Sequence, residues 1–82
     1  MKPYEGKFPT GSMVRIVPRP ILDAFFADWK LHHRLTPEMF PFAGREAKVV
    51  QVGYYHGGDV LYTLDGIPGT WHEQCLEETE SL

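Results

Sequence analysis

Apolar and polar positions alternate with a period of two in Ser12-Met13-Val14-Arg15-Ile16-Val17, which follows Gly11. That pattern predicts a half-buried first strand with Val14 and Ile16 inward and Arg15 outward. Pro18 and Pro20 end it, because neither has an N–H to give to a ladder. The period then changes to 3.6. Ile21, Leu22, Phe25, Phe26 and Trp29 follow the spacing i, i+1, i+4, i+5 and i+8 and share one helical stripe, with Asp23 and Asp28 on the polar side. Pro20 suits a first turn, so a helix is expected over residues 20–30, its stripe lying as a lid on the sheet.

Residues 31–44 read as a compact connection. Thr36 before Pro37 and Glu38 resembles a cap opening one short turn that Pro41 stops, and Met39, Phe40 and Phe42 are its apolar anchors. The run Ala47, Val49, Val50, Val52, Tyr54 and Tyr55 is β-branched and aromatic and predicts the clearest strand, over residues 46–55. His56-Gly57-Gly58-Asp59 is a hairpin connection, since paired glycines reach positive φ freely. Val60 to Leu64 returns antiparallel with Val60, Tyr62 and Leu64 on one face. Asp65 to Gly69 turns again, Thr70-Trp71-His72 makes a short fourth strand, Glu73-Gln74 one tight turn, and Cys75-Leu76-Glu77 a fifth strand that closes on the first.

Eighty-two residues close one core, so a single domain is expected, ordered over about residues 8–77 with frayed tails. The net charge is −3, and Arg15, Arg19, Lys30, Arg34, Arg45 and Lys48 are dispersed. A phosphate-binding face needs clustered cations, which weighs against nucleic acid as partner. Cys75 is the one cysteine, which excludes an intrachain disulfide and a four-cysteine zinc site and points to a reducing, cytoplasmic setting. No apolar stretch reaches the length of a membrane span, and no signal-peptide core opens the sequence.

Five short strands, a tight hairpin between the middle pair and one turn before the last strand give the order of a mainly β, SH3-like five-stranded barrel with a short helix inserted between strands 1 and 2. Gly11 before Val14-Arg15-Ile16, then Gly44, the strand from Val49 to Val52, Leu61-Tyr62, Trp71 and Leu76-Glu77 resemble the SH3-like domain of nitrile hydratase β subunits. The chain is similar also to the mind-bomb type SH3-like repeat, where a helix and a Trp-containing loop precede a glycine, a strand pair and a Trp before the last strand. The first resemblance implies an accessory or subunit-like piece of a metalloenzyme. In that family a His-x-Arg-x-Pro element supports the metal centre of the α subunit. Here the nearest match is His32, Arg34 and Pro37, with the proline one residue further on, and this chain has no counterpart of the α subunit's cysteine-rich claw. Arg34 is the residue that the resemblance marks.

His72 and Cys75 have the spacing of two metal ligands, and His32, His33 and His56 are potential companions. A lone cysteine near a terminal strand is more simply a small buried apolar residue. Cys75 as a nucleophile with His72 or His56 as its base lacks an orienting third group, so no catalytic set and no cofactor are expected. His32-His33-Arg34 follow Trp29 at the helix end, where cations cap the dipole or form an anion-binding or pH-sensitive corner. The chain carries 11 aromatic residues, more than one small core takes in completely. Tyr54 and Tyr55 point to opposite faces of a strand, so at least one is at the rim. Trp71 either stands as a groove aromatic beside Pro68 and His72 or packs under the insertion against Trp29 and Phe26. The function expected is noncatalytic binding of a protein or peptide at Trp71, His72, Tyr54, Tyr55, His32, His33, Arg34 and Phe40. Self-association as a homodimer through exposed aromatics and sheet edges is a further possibility.

Overall fold

The computed structural model describes residues 7–30, 33–54 and 59–79. Five antiparallel strands form one sheet: β1 (Met13–Ile16), β2 (Glu46–Tyr54), β3 (Val60–Leu64), β4 (Trp71–His72) and β5 (Leu76–Glu78). Their order across the sheet is β4-β3-β2-β1-β5. Laid flat, four strand spacings of about 4.8 Å would hold β4 and β5 roughly 19 Å apart. Only the 3-10 turn Glu73–Cys75 separates them in the chain, and such a turn rises about 2 Å per residue. The sheet therefore curls strongly so that its two edge strands approach, although among the described residues those edges do not pair with each other.

The valine-rich pattern sets the inner face. Val14, Ile16, Val49, Tyr62 and Trp71 lose essentially all their exposure, together with Leu64, Leu76 and Phe8. Strand alternation buries Val49 and exposes Val50, and a register shift between Val49 and Gln51 interrupts it, so that Gln51 is exposed as well. On the other face Arg15 stands in register between Glu46 of β2 and Glu77 of β5, with N–O distances of 2.9 and 3.9 Å. The alternation expected for β3 is incomplete. Leu61 is buried as well as Tyr62 and Leu64, because β3 is interior to the sheet and Leu61 pairs with His72 of β4.

The link from β1 to β2 leaves and returns at one point: the Gly44 N–H donates to the Ile16 carbonyl at 2.8 Å and the Ile16 N–H to the Arg45 carbonyl at 2.9 Å. Within it lie α1 (Arg19–Asp28) and a first 3-10 helix (Pro37–Phe42). Pro18 caps α1 without a side-chain bond, its carbonyl taking the N–H groups of Ile21 and Leu22, and the Trp29 N–H closes the last turn on Phe25. The helix thus stops two residues short of the expected end. Pro41 does not terminate the 3-10 helix but lies inside it, since proline's fixed φ matches 3-10 geometry. The Ala43 N–H then closes the next turn on the Phe40 carbonyl.

The apolar stripe of α1 is wider than the core it meets. Leu22 alone is fully buried, Phe25 and Trp29 are half-buried, and Ile21 and Phe26 are exposed. The lid expected from the sequence is thus anchored by Leu22, with Phe25 packed at the edge of the core, and leaves Ile21 and Phe26 exposed.

Candidate functional site

Neighbouring residues on a strand point to opposite faces, and β4 divides its two aromatic side chains in that way. Trp71 faces the core with no exposed area, its Nε1–H donating to the Pro68 carbonyl at 3.2 Å. The groove role expected of Trp71 is thereby corrected: pairing opposite Tyr62 carries the indole to the inner face. His72 faces the other way and meets α1. Its ring lies 5.1 Å from Phe25 and 4.7 Å from Trp29, centroid to centroid, while Phe25 and Trp29, one turn apart, stack nearly parallel at 5.6 Å. Nε2 of His72 lies 2.9 Å from the His33 carbonyl. A carbonyl only accepts, so that nitrogen carries the proton. His72 is therefore a buried joint between β4 and the insertion, not an open contact surface.

Trp29 borders two adjoining clefts. One, of about 140 Å³, lies between Trp29, Asp59, Val60, His72, Glu73 and Gln74. The other, of about 270 Å³, lies between Ile21, Ala24, Phe25, Asp28, Trp29 and Gln74. Trp29 and Gln74 are common to both, so they form one groove along α1 and the 3-10 turn before β5. The walls of the second are chiefly apolar. The first is flanked by the carboxylates of Asp59 and Glu73. A larger cleft of about 430 Å³ lies by Lys7, Phe8, Met13 and Thr79, where the described residues begin and end.

Glu73 has a second task. Its carboxylate accepts the Tyr62 hydroxyl at 2.5 Å and the Lys7 N–H at 2.8 Å, and the Tyr62 oxygen accepts the Phe8 N–H at 3.2 Å. Burial, and next the bond to Glu73, push the Tyr62 phenol from 10.0 up to about 12. Burial likewise pushes the Cys75 thiol from 9.0 up to about 12, against a smaller opposing effect of a hydrogen bond from the His72 backbone. Cys75 is thus a protonated core residue at neutral pH. Among the described residues, no three His, Cys, Asp or Glu side chains group in a way that would hold a metal ion. None of the described helices is long and apolar enough to cross a membrane.

The other expected site residues do not gather at one place. Tyr54 is exposed at the end of β2, while Tyr55 and His32 lie outside the described residues, as does the hairpin from His56 to Gly58. His33 is exposed, at a positive φ of 51°. The helix-capping reading of His33 and Arg34 is corrected, because α1 ends at Asp28 and its last turn has no basic residue. A dipole acts only within that turn. The Arg34 guanidinium instead covers Phe26 at 5.1 Å; Phe26 meets Phe40 edge-on at 5.4 Å, and Arg19 covers Phe40 at 4.8 Å. Sequence reasoning missed Trp29, Asp28, Asp59, Glu73 and Gln74 as lining. Trp29 was legible as the last residue of the stripe, one turn past Phe25; the carboxylates come from three separate elements and leave no pattern in the chain. Comparison with protein-family models, with curated proteins and with solved structures finds no match.

Proposed function

We propose that this chain is a small SH3-like barrel that binds another protein without catalysis, through the groove around Trp29. Support for the barrel comes from the strand order β4-β3-β2-β1-β5 and from the single 3-10 turn joining the two edge strands. The binding reading rests on one observation: two adjoining clefts share an only half-buried tryptophan, with apolar walls from α1 and polar groups from the turn before β5. An extended segment laid there would bury apolar side chains on the indole while its polar atoms reach Gln74 and the flanking carboxylates. A cysteine nucleophile has no thiolate to offer, since the Cys75 thiol is buried and pushed up to about 12.

The two tryptophans make the test internally controlled. In ¹⁵N-labelled protein screened with an array of short peptides, the Trp29 indole N–H and the amides of Val60 and His72 to Gln74 shift on binding. The Trp71 indole N–H, held in the core on Pro68, stays in place. Trp29→Ala abolishes binding while circular dichroism is retained. An array with no binder at high micromolar concentration, or binding that survives Trp29→Ala, removes the reading.

A further inference from the structure

We infer that the occupant of the Trp29 groove is a basic extended segment in which an arginine or lysine stands two residues from an apolar side chain. This rests on the groove reading above and adds the chemistry of the partner. The two clefts are unlike. The smaller one sets Trp29 with Asp59 and Glu73, and the larger one sets it with Ile21, Ala24 and Phe25, and with Asp28. Three carboxylates and no lysine or arginine line them among the described residues. A guanidinium or ammonium on an indole is held by the ring's quadrupole, and carboxylates at the flanks add Coulombic attraction; neither favours a neutral or acidic side chain. The apolar cleft next to it offers only burial.

Geometry sets the spacing. The clefts adjoin at Trp29 and Gln74, which line both. In an extended chain, residues i and i+2 point the same way about 6.5–7 Å apart, whereas i and i+1 point to opposite sides. A cation and an apolar group at i and i+2 therefore reach both clefts from one strand. On the other flank of α1 the aromatic surface is already faced by guanidinium groups, Arg34 over Phe26 and Arg19, paired with Asp23 at 3.0 Å, over Phe40, which disfavours a second cation there. The charge pattern thus steers such a segment toward the Trp29 side.

The test uses the whole chain and fluorescein-labelled short peptides of otherwise neutral sequence. Their variable positions carry Arg-x-Leu, Lys-x-Leu, Gln-x-Leu, Glu-x-Leu or Arg-x-Ser, in both orders. The Arg-x-Leu or Lys-x-Leu peptide should bind about tenfold more tightly than Gln-x-Leu, and Arg-x-Ser more weakly than Arg-x-Leu. Raising salt from about 0.05 to about 0.5 M should reduce that preference several-fold, as screening of exposed charges requires. Asp59→Asn and Asp28→Asn should each weaken the Arg peptide by about threefold and the Gln peptide by less, narrowing the preference between them. These two carboxylates are chosen over Glu73, whose removal would also loosen Tyr62 and Lys7. If Gln-x-Leu or Glu-x-Leu binds as tightly as Arg-x-Leu while the Trp29 indole still shifts, the groove stands and the basic partner is overturned. If no peptide moves the Trp29 indole, the groove reading fails and the partner with it.

Discussion

Tyr62 joins β3 to the N-terminal segment and to the turn before β5 through one hydroxyl. Its hydroxyl bridges the Phe8 N–H and the Glu73 carboxylate, so Tyr62→Phe leaves an N–H inside without its acceptor and should cost about 1–3 kcal/mol in urea unfolding. The alkaline limb follows from the same burial. Below pH 9 both the Cys75 thiol and the Tyr62 phenol are protonated folded and unfolded, so neither gives a pH dependence. Above 9.0 for Cys75 and 10.0 for Tyr62 the unfolded chain releases the proton while the folded one keeps it to about 12. Stability should therefore be level from neutral pH to about 9 and then fall, by on the order of a few kcal/mol from each group. Cys75→Ala should flatten the part of the limb that starts at 9, and an unchanged limb would contradict the burial argument. Gly69 has φ +93°, and a Cβ there would come 2.7 to 2.9 Å from the Met39 side chain, which is buried and accepts the Thr36 N–H on its sulfur. Gly69→Ala should cost about 1–3 kcal/mol, part of it relieved when Met39 is truncated in the same chain.

At the scale of elements, α1 separates stability from binding along its own length. Leu22 is fully buried whereas Ile21 is 48% exposed. Leu22→Ala should lower stability by about 2–5 kcal/mol, and Ile21→Ala by well under 1 kcal/mol in the same urea titration. Because Ile21 lines the apolar cleft, its truncation should instead weaken peptide binding. Equal losses of stability for the two would mean that the stripe lies on the core as a complete lid. The change of hydrophobic period from two to 3.6 after Pro18 and Pro20 made the helix legible, and the glycine turns and valine alternation made the strands legible. The ends were less so: α1 stops at Asp28, and Cys75 belongs to the 3-10 turn before β5. Pro41 misled because a proline that would break an α-helix fits a 3-10 turn.

For the molecule as a whole, pairing of β1 with β5 brings residues near the two ends of the chain side by side, Val14 opposite Glu78 and Ile16 opposite Leu76. The N-terminal segment is held to the turn before β5 by the Lys7 N–H on Glu73 and to β3 by the Phe8 N–H on the Tyr62 hydroxyl. No part of the sheet is then complete without the rest, and unfolding should be a single transition. Fluorescence of Trp29 and Trp71 and far-ultraviolet dichroism should give one coincident urea midpoint, with a free energy of about 4–12 kcal/mol for a chain of this length. An early fluorescence change with dichroism intact would show the insertion opening independently of the sheet.

What the chain determined by itself is local: period, proline and glycine punctuation, and the type of each element follow from backbone sterics and side-chain alternation within a few residues. Those rules suffice for five strands, one inserted helix and an inward Val14 and Ile16. Which aromatic residues are open to solvent is decided only by packing. Trp71 and Trp29 are equally apolar in the sequence, but opposite faces of β4 and the limited area under α1 bury the first and leave the second half-covered. The acidic surroundings of Trp29 arise in the same way, because Asp28 of α1, Asp59 just before β3 and Glu73 of the turn before β5 come to line its two clefts only through the tertiary fold.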